Sequence, residues 1–487
     1  MISHIEDLIK YQIDKKTINV RDYIYVKNVL CSLLGENPKN HATPKTISYV
    51  ASTLNEIVNI LKEKGNKYTF LEEERLKETI MNVFASLPSE IENHFYSLYN
   101  KNKISATTWF YEFCKNVYYI KQDRIDKNII YKPQLSDVLL TINLSKPEKD
   151  PQEIAAALNN SNTDIYPLCH LCIEHEGYNG NYKYDSRITH RIIKLNLNKH
   201  NYYFQYSPYS YYNEHCIVLN EEHTPMFVNK RTINNLLVLC DKFPSYFFGS
   251  NADIPYVGGS ILTHDHYQGG KFNFPIEKAK ITHTFIVGNV TYSVINWHLS
   301  TIRLSSNNID DLINAFDLIN TKWLEYNNPK ANIISNTLQT RHNAITPIAR
   351  KKQSIYELDL VLRNNRTTAE YPLGIFHPHS DMWAIKKENI GLIEVMGLAI
   401  LPARLKEEIE TIKKCLLNNE KLSENVIKHE SWVKNITTYS KNTIDGLIFE
   451  EIGKMFVKCL DYCKVLDNKL LIEFLEGVIK YERTSTK

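Results

Sequence analysis

The sequence predicts an α+β fold, with helical regions flanking a core that mixes strands and helices. Three observations carry that prediction. Apolar residues recur at three- and four-residue spacing through residues 1–135. The middle of the chain carries short β-branched runs separated by helical stretches. From Pro402 onward the helical spacing returns.

In the first region, residues 19–35 show the helical repeat and end on Gly35, a common helix terminator. Residues 47–61 and 71–87 repeat the pattern, and Trp109, Phe110, Tyr111 and Phe113 fall where a helix would bury them. In the middle, residues 192–198, 215–219, 285–288 and 357–362 read as half-buried or buried strands, and 232–243 and 308–326 as helices between them. The last region reads as helices over 405–417, 423–432 and 444–481.

A chain of 487 residues with 43% apolar and 23% charged side chains has room for several domains and the composition of a globular protein. A net charge of +3 without a long basic block argues against nucleic acid as a partner. Nine cysteines, an odd number in a long chain, argue against a secreted disulfide framework. The first residues lack the pattern of a secretory signal, and no run of about 18 apolar residues occurs. The expectation is a reduced, cytoplasmic protein that neither spans nor binds a membrane; a homodimer is left open.

The densest chemical signal is Val257-Gly258-Gly259-Ser260 followed by His264-Asp265-His266-Tyr267-Gln268-Gly269-Gly270. In an extended segment alternate side chains share a face, so His264, His266 and Gln268 would point together. Glycines on both sides let main chain approach a ligand, and their amides suit phosphate. A neutral imidazole can attack phosphorus near neutral pH, and an amide can bind a phosphoryl oxygen without transferring a proton.

Cys169-His170-Leu171-Cys172 is a zinc half-site or a redox pair. A redox pair needs a thioredoxin-like setting, which is not legible upstream. With His215 and His264, the two cysteines would close a tetrahedral zinc site. A third group, late in the chain, contains Arg341, Arg350, Asp359, Arg363, His377-Pro378-His379, Lys386, Lys387 and Glu394. Arginines at strand ends suit the phosphates and hydroxyls of a sugar phosphate.

His264-Asp265-His266-Tyr267-Gln268 resembles the His-x-His-x-Gln motif of galactose-1-phosphate uridylyltransferases, a branch of the histidine-triad superfamily. The surrounding text is similar to the class II form: His190-Arg191-Ile192-Ile193, Gln205-Tyr206-Ser207-Pro208-Tyr209, Gly249-Ser250-Asn251-Ala252-Asp253, residues 356–366 and residues 374–404. The resemblance spans roughly residues 160–405. It implies a pseudo-duplicated histidine-triad-like core with a mixed or antiparallel sheet. Residues 136–300 would be the first unit and 301–405 the second, between helical regions 1–135 and 406–487.

The resemblance further implies that His266 is the nucleophile and that Gln268 holds the uridylyl phosphate. Asn251 and Ser260 match phosphate contacts, and Lys387 and Glu394 match hexose contacts. Cys169, Cys172, His215 and His264 match a zinc site. A second metal site is not implied, because Glu357-Leu358-Asp359-Leu360-Val361 lacks the histidines that such a site requires. His377-Pro378-His379 is followed by Asp381 where the motif has glutamine, so it is not read as a nucleophile.

The reaction implied is UDP-glucose plus galactose 1-phosphate giving UDP-galactose plus glucose 1-phosphate, by ping-pong transfer through a uridylyl-histidine. The alternative enzyme reading is a histidine-triad hydrolase or phosphorylase of nucleotide diphosphates. A non-enzymatic alternative is a zinc-stapled interaction module with helical arms. UDP-glucose alone separates the enzyme readings: a hydrolase turns over, and a transferase stops after one equivalent.

Overall fold

The computed structural model describes residues 1–145, 166–181, 183–259 and 261–485; Ser260 lies outside them. Along the chain, the first region folds as α1 (Ile2–Asp14), α2 (Tyr23–Leu34), α3 (Val50–Glu63), α4 (Phe70–Asn82), α5 (Pro88–Tyr99), α6 (Lys103–Asn116) and the single turn α7 (Gln122–Ile125). Strands β1 (Ile129–Tyr131), β2 (Leu139–Ile142), β3 (Ile193–Leu197), β4 (His200–Tyr206) and β5 (Cys216–Asn220) follow, then α8 (Lys230–Lys242). Next come β6 (Phe247–Gly249), β7 (His266–Gly270), β8 (Ile281–Val287), β9 (Val290–Ile295), β10 (Thr301–Ser306) and α9 (Ile309–Glu325). The chain continues through β11 (Asn336–Thr337), β12 (Thr340–Arg341), β13 (Asn343–Lys352), β14 (Ile355–Asn364), the one-turn α10 (Leu392–Val395) and β15 (Leu398–Leu401). It closes on α11 (Arg404–Leu417), α12 (Glu430–Val433), α13 (Ile444–Tyr462) and α14 (Asn468–Ser485). The α+β class is the one observed.

These elements form two compact units. The first comprises Met1–Lys127, Ser145–Ser210 and Glu214–His223. Its helices bury Ile5, Leu8, Val26, Leu30, Leu54, Ile57, Ile80 and Phe84 in one cluster. Gly35 ends α2 with φ +63°, a left-handed conformation that a side chain would resist. Thr69 and Glu72 form a reciprocal cap at the start of α4. Phe110 packs on Phe95, Phe204 and Tyr206, and the Tyr206 hydroxyl donates to Thr107 O at 2.8 Å. Phe110, Tyr111 and Phe113 are buried as expected, while Trp109 is half-buried. Strands β3, β4 and β5 form an antiparallel meander, with Asn198 and Lys199 at φ 52° and 69° in the two-residue turn between β3 and β4.

The second unit comprises Asn128–Leu144, Tyr211–Asn213 and Thr224–Lys487. Its main strands lie in the order β7-β6-β13-β14-β10-β9-β8, antiparallel throughout. α8 and α9 pack on this sheet, where the Trp323 indole donates to Ala344 O at 2.9 Å. A smaller sheet runs β1-β2-β15, and the C-terminal helices complete the core with Ile444, Ile448, Ile452 and Phe456. One succession occurs twice along the chain: three strands, a helix, two strands. It reads β3-β4-β5-α8-β6-β7 and then β8-β9-β10-α9-β13-β14, with β11 and β12 inserted in the second copy. That repetition is the pseudo-duplication the resemblance implies.

Three helical expectations change. The stretch 71–87 stops at Asn82, and α5 begins with Pro88 at its first position. Residues 423–432 are not one helix but a short 3-10 turn and the four-residue α12, tied by side chains. His429 Nε2 lies 2.8 Å from Glu408, and the Trp432 indole donates to His429 Nδ1 at 3.1 Å. The stretch 444–481 is two helices, because Asp467 accepts from Leu470 N at 2.8 Å and starts a new one.

Candidate active site

The His-x-His-x-Gln segment enters β7 at His266, while His264 and Asp265 precede the strand. Strand alternation then sorts the side chains. The Tyr267 hydroxyl accepts from Asn235 of α8 at 3.0 Å, and Asp265 lies 3.6 Å from Arg231 of the same helix. His266 and Gln268 therefore occupy the opposite face of the strand from Tyr267.

His266 is 6% exposed, and its Nδ1–H donates to His264 O at 2.8 Å. A proton on Nδ1 leaves the Nε2 lone pair available. Burial pushes the imidazole below the usual histidine range, and the bond to His264 O offsets part of that. An imidazole held below that range is uncharged at neutral pH.

Asn251 lies just beyond β6, where the register places Gly249 opposite Gln268. Its Oδ1 accepts from Leu392 N at 2.9 Å, which turns Nδ2 toward Gly259. A Cβ added to Gly259 would stand 2.4 Å from Asn251 Nδ2, and one added to Gly258 would stand 2.5 Å from Ala252 O. Only glycines allow the loop this approach. Ser260, the next residue, is outside the described residues.

The late cluster divides. Glu394 caps α10 by accepting from Gly391 N at 2.9 Å. Its ion-pair partner is Lys386, which is buried, and not Lys387. Lys387 is exposed, with its ammonium 5.0 Å from the Trp383 ring centroid. The segment there is irregular, and adjacent lysines point to different sides. Arg341 pairs with Asp253 at 2.6 Å and keeps its side chain 34% exposed. Arg363 is 1% exposed, with Nη2 donating to Ile390 O at 2.9 Å and Nη1 to Thr346 Oγ1 at 3.5 Å. Burial pushes its guanidinium down, and Cys463 and Glu394 offset part of that.

Arg350 and Asp359 serve the sheet itself. Asp359 binds Arg303 through both oxygens, at 2.6 and 3.0 Å, and Arg350 at 2.8 Å. His379 Nε2 is 3.0 Å from Ile375 O and the ring stacks between Tyr371 and Tyr462, a structural arrangement.

In the first unit Cys169, Cys172 and His223 form a cluster that could bind a metal. The two sulfurs are 3.6 Å apart, and Cys172 Sγ is 3.2 Å from His223 Nδ1. A tetrahedral zinc with bonds of about 2.3 Å would set two sulfurs about 3.8 Å apart, so the thiols have the right spacing. His175 Nε2, 3.0 Å from Cys169 O, braces the turn that carries them. His215 is not in this cluster; it is buried just before β5, where its main-chain oxygen accepts from Ser207 N. The histidine recruited follows the same strand at its other end. The signal for it is Glu221-Glu222-His223-Thr224-Pro225, a turn just past a strand. His264 lies in the second unit and is 1% exposed. No helix among the described residues is long and apolar enough to cross a membrane.

Residues 16–225 match the family described as galactose-1-phosphate uridyl transferase, N-terminal domain, and residues 239–433 match its C-terminal domain. A galactose-1-phosphate uridylyltransferase of Clostridium acetobutylicum is 46% identical over 96% of this chain and 96% of its own length. One from Clostridium perfringens is 44% identical over 98% of this chain and 97% of its own. Among solved structures, the yeast Ap4A phosphorylase Apa2 matches 59% of this chain and 82% of its own at 13% identity and a TM-score of 0.33. By two domain matches and near full-length identity, the chain belongs to the galactose-1-phosphate uridylyltransferase family of nucleotidyltransferases.

Proposed function

We propose that this chain moves a uridylyl group between glucose 1-phosphate and galactose 1-phosphate by ping-pong transfer through His266. The observation that carries the reading is the His266 imidazole, anchored through Nδ1 and directed by β7 to the same face as Gln268. Attack by Nε2 on the α-phosphorus of UDP-glucose forms a phosphorus–nitrogen bond and releases glucose 1-phosphate. That leaving group is stable as an anion and needs little general-acid help. Galactose 1-phosphate then attacks the same phosphorus and releases UDP-galactose with a free His266.

Gln268, the Asn251 amide and Ser260 bind the phosphoryl oxygens in this reading, and Arg341, paired with Asp253, offers its remaining guanidinium N–H donors. An amide at position 268 holds phosphate without activating water. Glu394, neutralised by Lys386, faces hexose hydroxyls. Cys169, Cys172 and His223 would hold a structural zinc. A reducing, cytoplasmic setting is part of this reading.

The test is turnover with UDP-glucose alone. The proposal expects release of about one equivalent of glucose 1-phosphate, then continued reaction only when galactose 1-phosphate is added. Continuous release of UMP without an acceptor would make the protein a hydrolase.

A further inference from the structure

Four consecutive residues of the second unit are each held by a different buried side chain. His377 Nε2 lies 3.1 Å from Asn389 Oδ1, and Arg363 donates to Ile390 O at 2.9 Å. Glu394 accepts from Gly391 N and Asn251 accepts from Leu392 N, both at 2.9 Å. These four side chains are 3%, 1%, 6% and 4% exposed respectively. Such density of buried polar ties on an irregular segment is costly unless its position matters.

The segment has a definite place. A Cβ on Gly249 would stand 2.8 Å from Leu392 Cδ1, so Leu392 covers the sheet over Gly249. Gly249 pairs with Gln268, and residues directly opposite in a sheet share a face. Residues 389–392 therefore lie on the face that carries His266 and Gln268. They lead into Glu394, whose carboxylate is paired with the buried Lys386. A carboxylate beside an ammonium offers both acceptor and donor, which suits sugar hydroxyls and a phosphate.

We infer that His377 and Arg363 are positioning residues for the hexose 1-phosphate, acting through Asn389 and Ile390 without touching the substrate. The inference rests on the uridylyl-transfer reading. It gives His377, half of the second His-x-His dyad, a task that is not nucleophilic. His377 Nδ1 is 3.0 Å from Pro378 O, so the ring is fixed at both nitrogens. Arg363 is held by a main-chain oxygen and a hydroxyl, not by a carboxylate, among the described residues. Arg363 and Glu394 hold the two ends of one peptide, Ile390 O and Gly391 N, and Asn251 holds the next peptide through Leu392 N.

The experiment compares His377→Leu, Asn389→Ala, their double variant, Arg363→Met and Arg363→Lys in the full chain. Calorimetry measures direct binding of galactose 1-phosphate, and steady-state kinetics give KM and kcat. Each single loss should weaken galactose 1-phosphate binding about tenfold, the effect of one buried hydrogen bond, with kcat changed by less than about threefold. The double variant should be no weaker than the worse single, because both remove one link. Arg363→Lys should recover part of the affinity lost in Arg363→Met. Unchanged affinity in Asn389→Ala, which deletes the link without opening the core, overturns the inference. Lower melting temperatures with unchanged galactose 1-phosphate affinity in the other variants would overturn it equally. Failure of the parent protein to transfer uridylyl while still binding galactose 1-phosphate would count against the proposed reaction instead.

Discussion

His266 donates its Nδ1 proton to the carbonyl oxygen of His264, two residues earlier, at 2.8 Å. This one hydrogen bond selects the tautomer, orients the ring and leaves the Nε2 lone pair free.

Replacing Gln268 by histidine tests why such a site transfers rather than hydrolyses. The imidazole can reach the same oxygens but can also exchange protons with water. Uridylyl transfer should slow by roughly tenfold to a hundredfold, the range for one altered phosphate hydrogen bond. Hydrolytic loss of the adduct should rise, and the ratio of hydrolysis to transfer, followed by mass spectrometry, is the discriminating quantity. An adduct as durable as the parent's would show that Gln268 only binds phosphate.

Gly259→Ala should disturb the site with little effect on the fold. The new Cβ would stand 2.4 Å from Asn251 Nδ2 and push that amide off its position. Uridylylation by UDP-glucose should slow by about tenfold or more, while the melting temperature moves by only a few degrees. Stopped-flow rates alongside thermal unfolding check both halves.

The metal cluster makes an asymmetric forecast for two histidines that flank one strand. His223→Asn and Cys172→Ser should lower zinc content below one per chain and lower the melting temperature, because a structural metal contributes folding free energy. His215→Asn should keep its zinc. Elemental analysis of the purified variants decides it, and zinc lost only from the His215 variant would reverse the assignment.

Glu74 offers a pH test of the helical region. Burial raises its carboxyl, but Lys121, Arg124 and Lys77 outweigh that and hold it at about 2. The ammonium and guanidinium groups lie 2.6–3.0 Å from its oxygens. A carboxylate at about 2 when folded and about 4.5 when unfolded contributes about 3 kcal/mol. A depressed folded value means the contribution is present above pH 4.5 and lost as pH falls toward 2. Denaturant unfolding of Glu74→Gln should show that deficit at pH 7, and the gap should narrow progressively below pH 4.5.

The parts legible in the sequence follow a short period. Alternation along residues 264–268 placed His266 and Gln268 together and turned Tyr267 away, as β7 shows. The helical repeat and terminating Gly35 located α2. What escaped reading depends on irregular backbone. Nothing in spacing distinguishes His215 from His223, since both flank β5 and only the turn beyond Asn220 brings one to the cysteines. Lys386 and Lys387 are neighbours in a segment without regular structure, so no period says which is buried. The break between α13 and α14 rests on the Asp467 cap and on Ser300, which bonds both N and O of Leu466, inside an otherwise helical pattern.

The central claim is a covalent bond to His266, and peptide mapping after mixing with UDP-glucose tests it most directly. Mapping should find one uridylyl group per chain, acid-labile and alkali-stable, located on His266 and discharged by galactose 1-phosphate. Labelling of His264, His379 or a hydroxyl residue, or turnover with no covalent adduct, would contradict it.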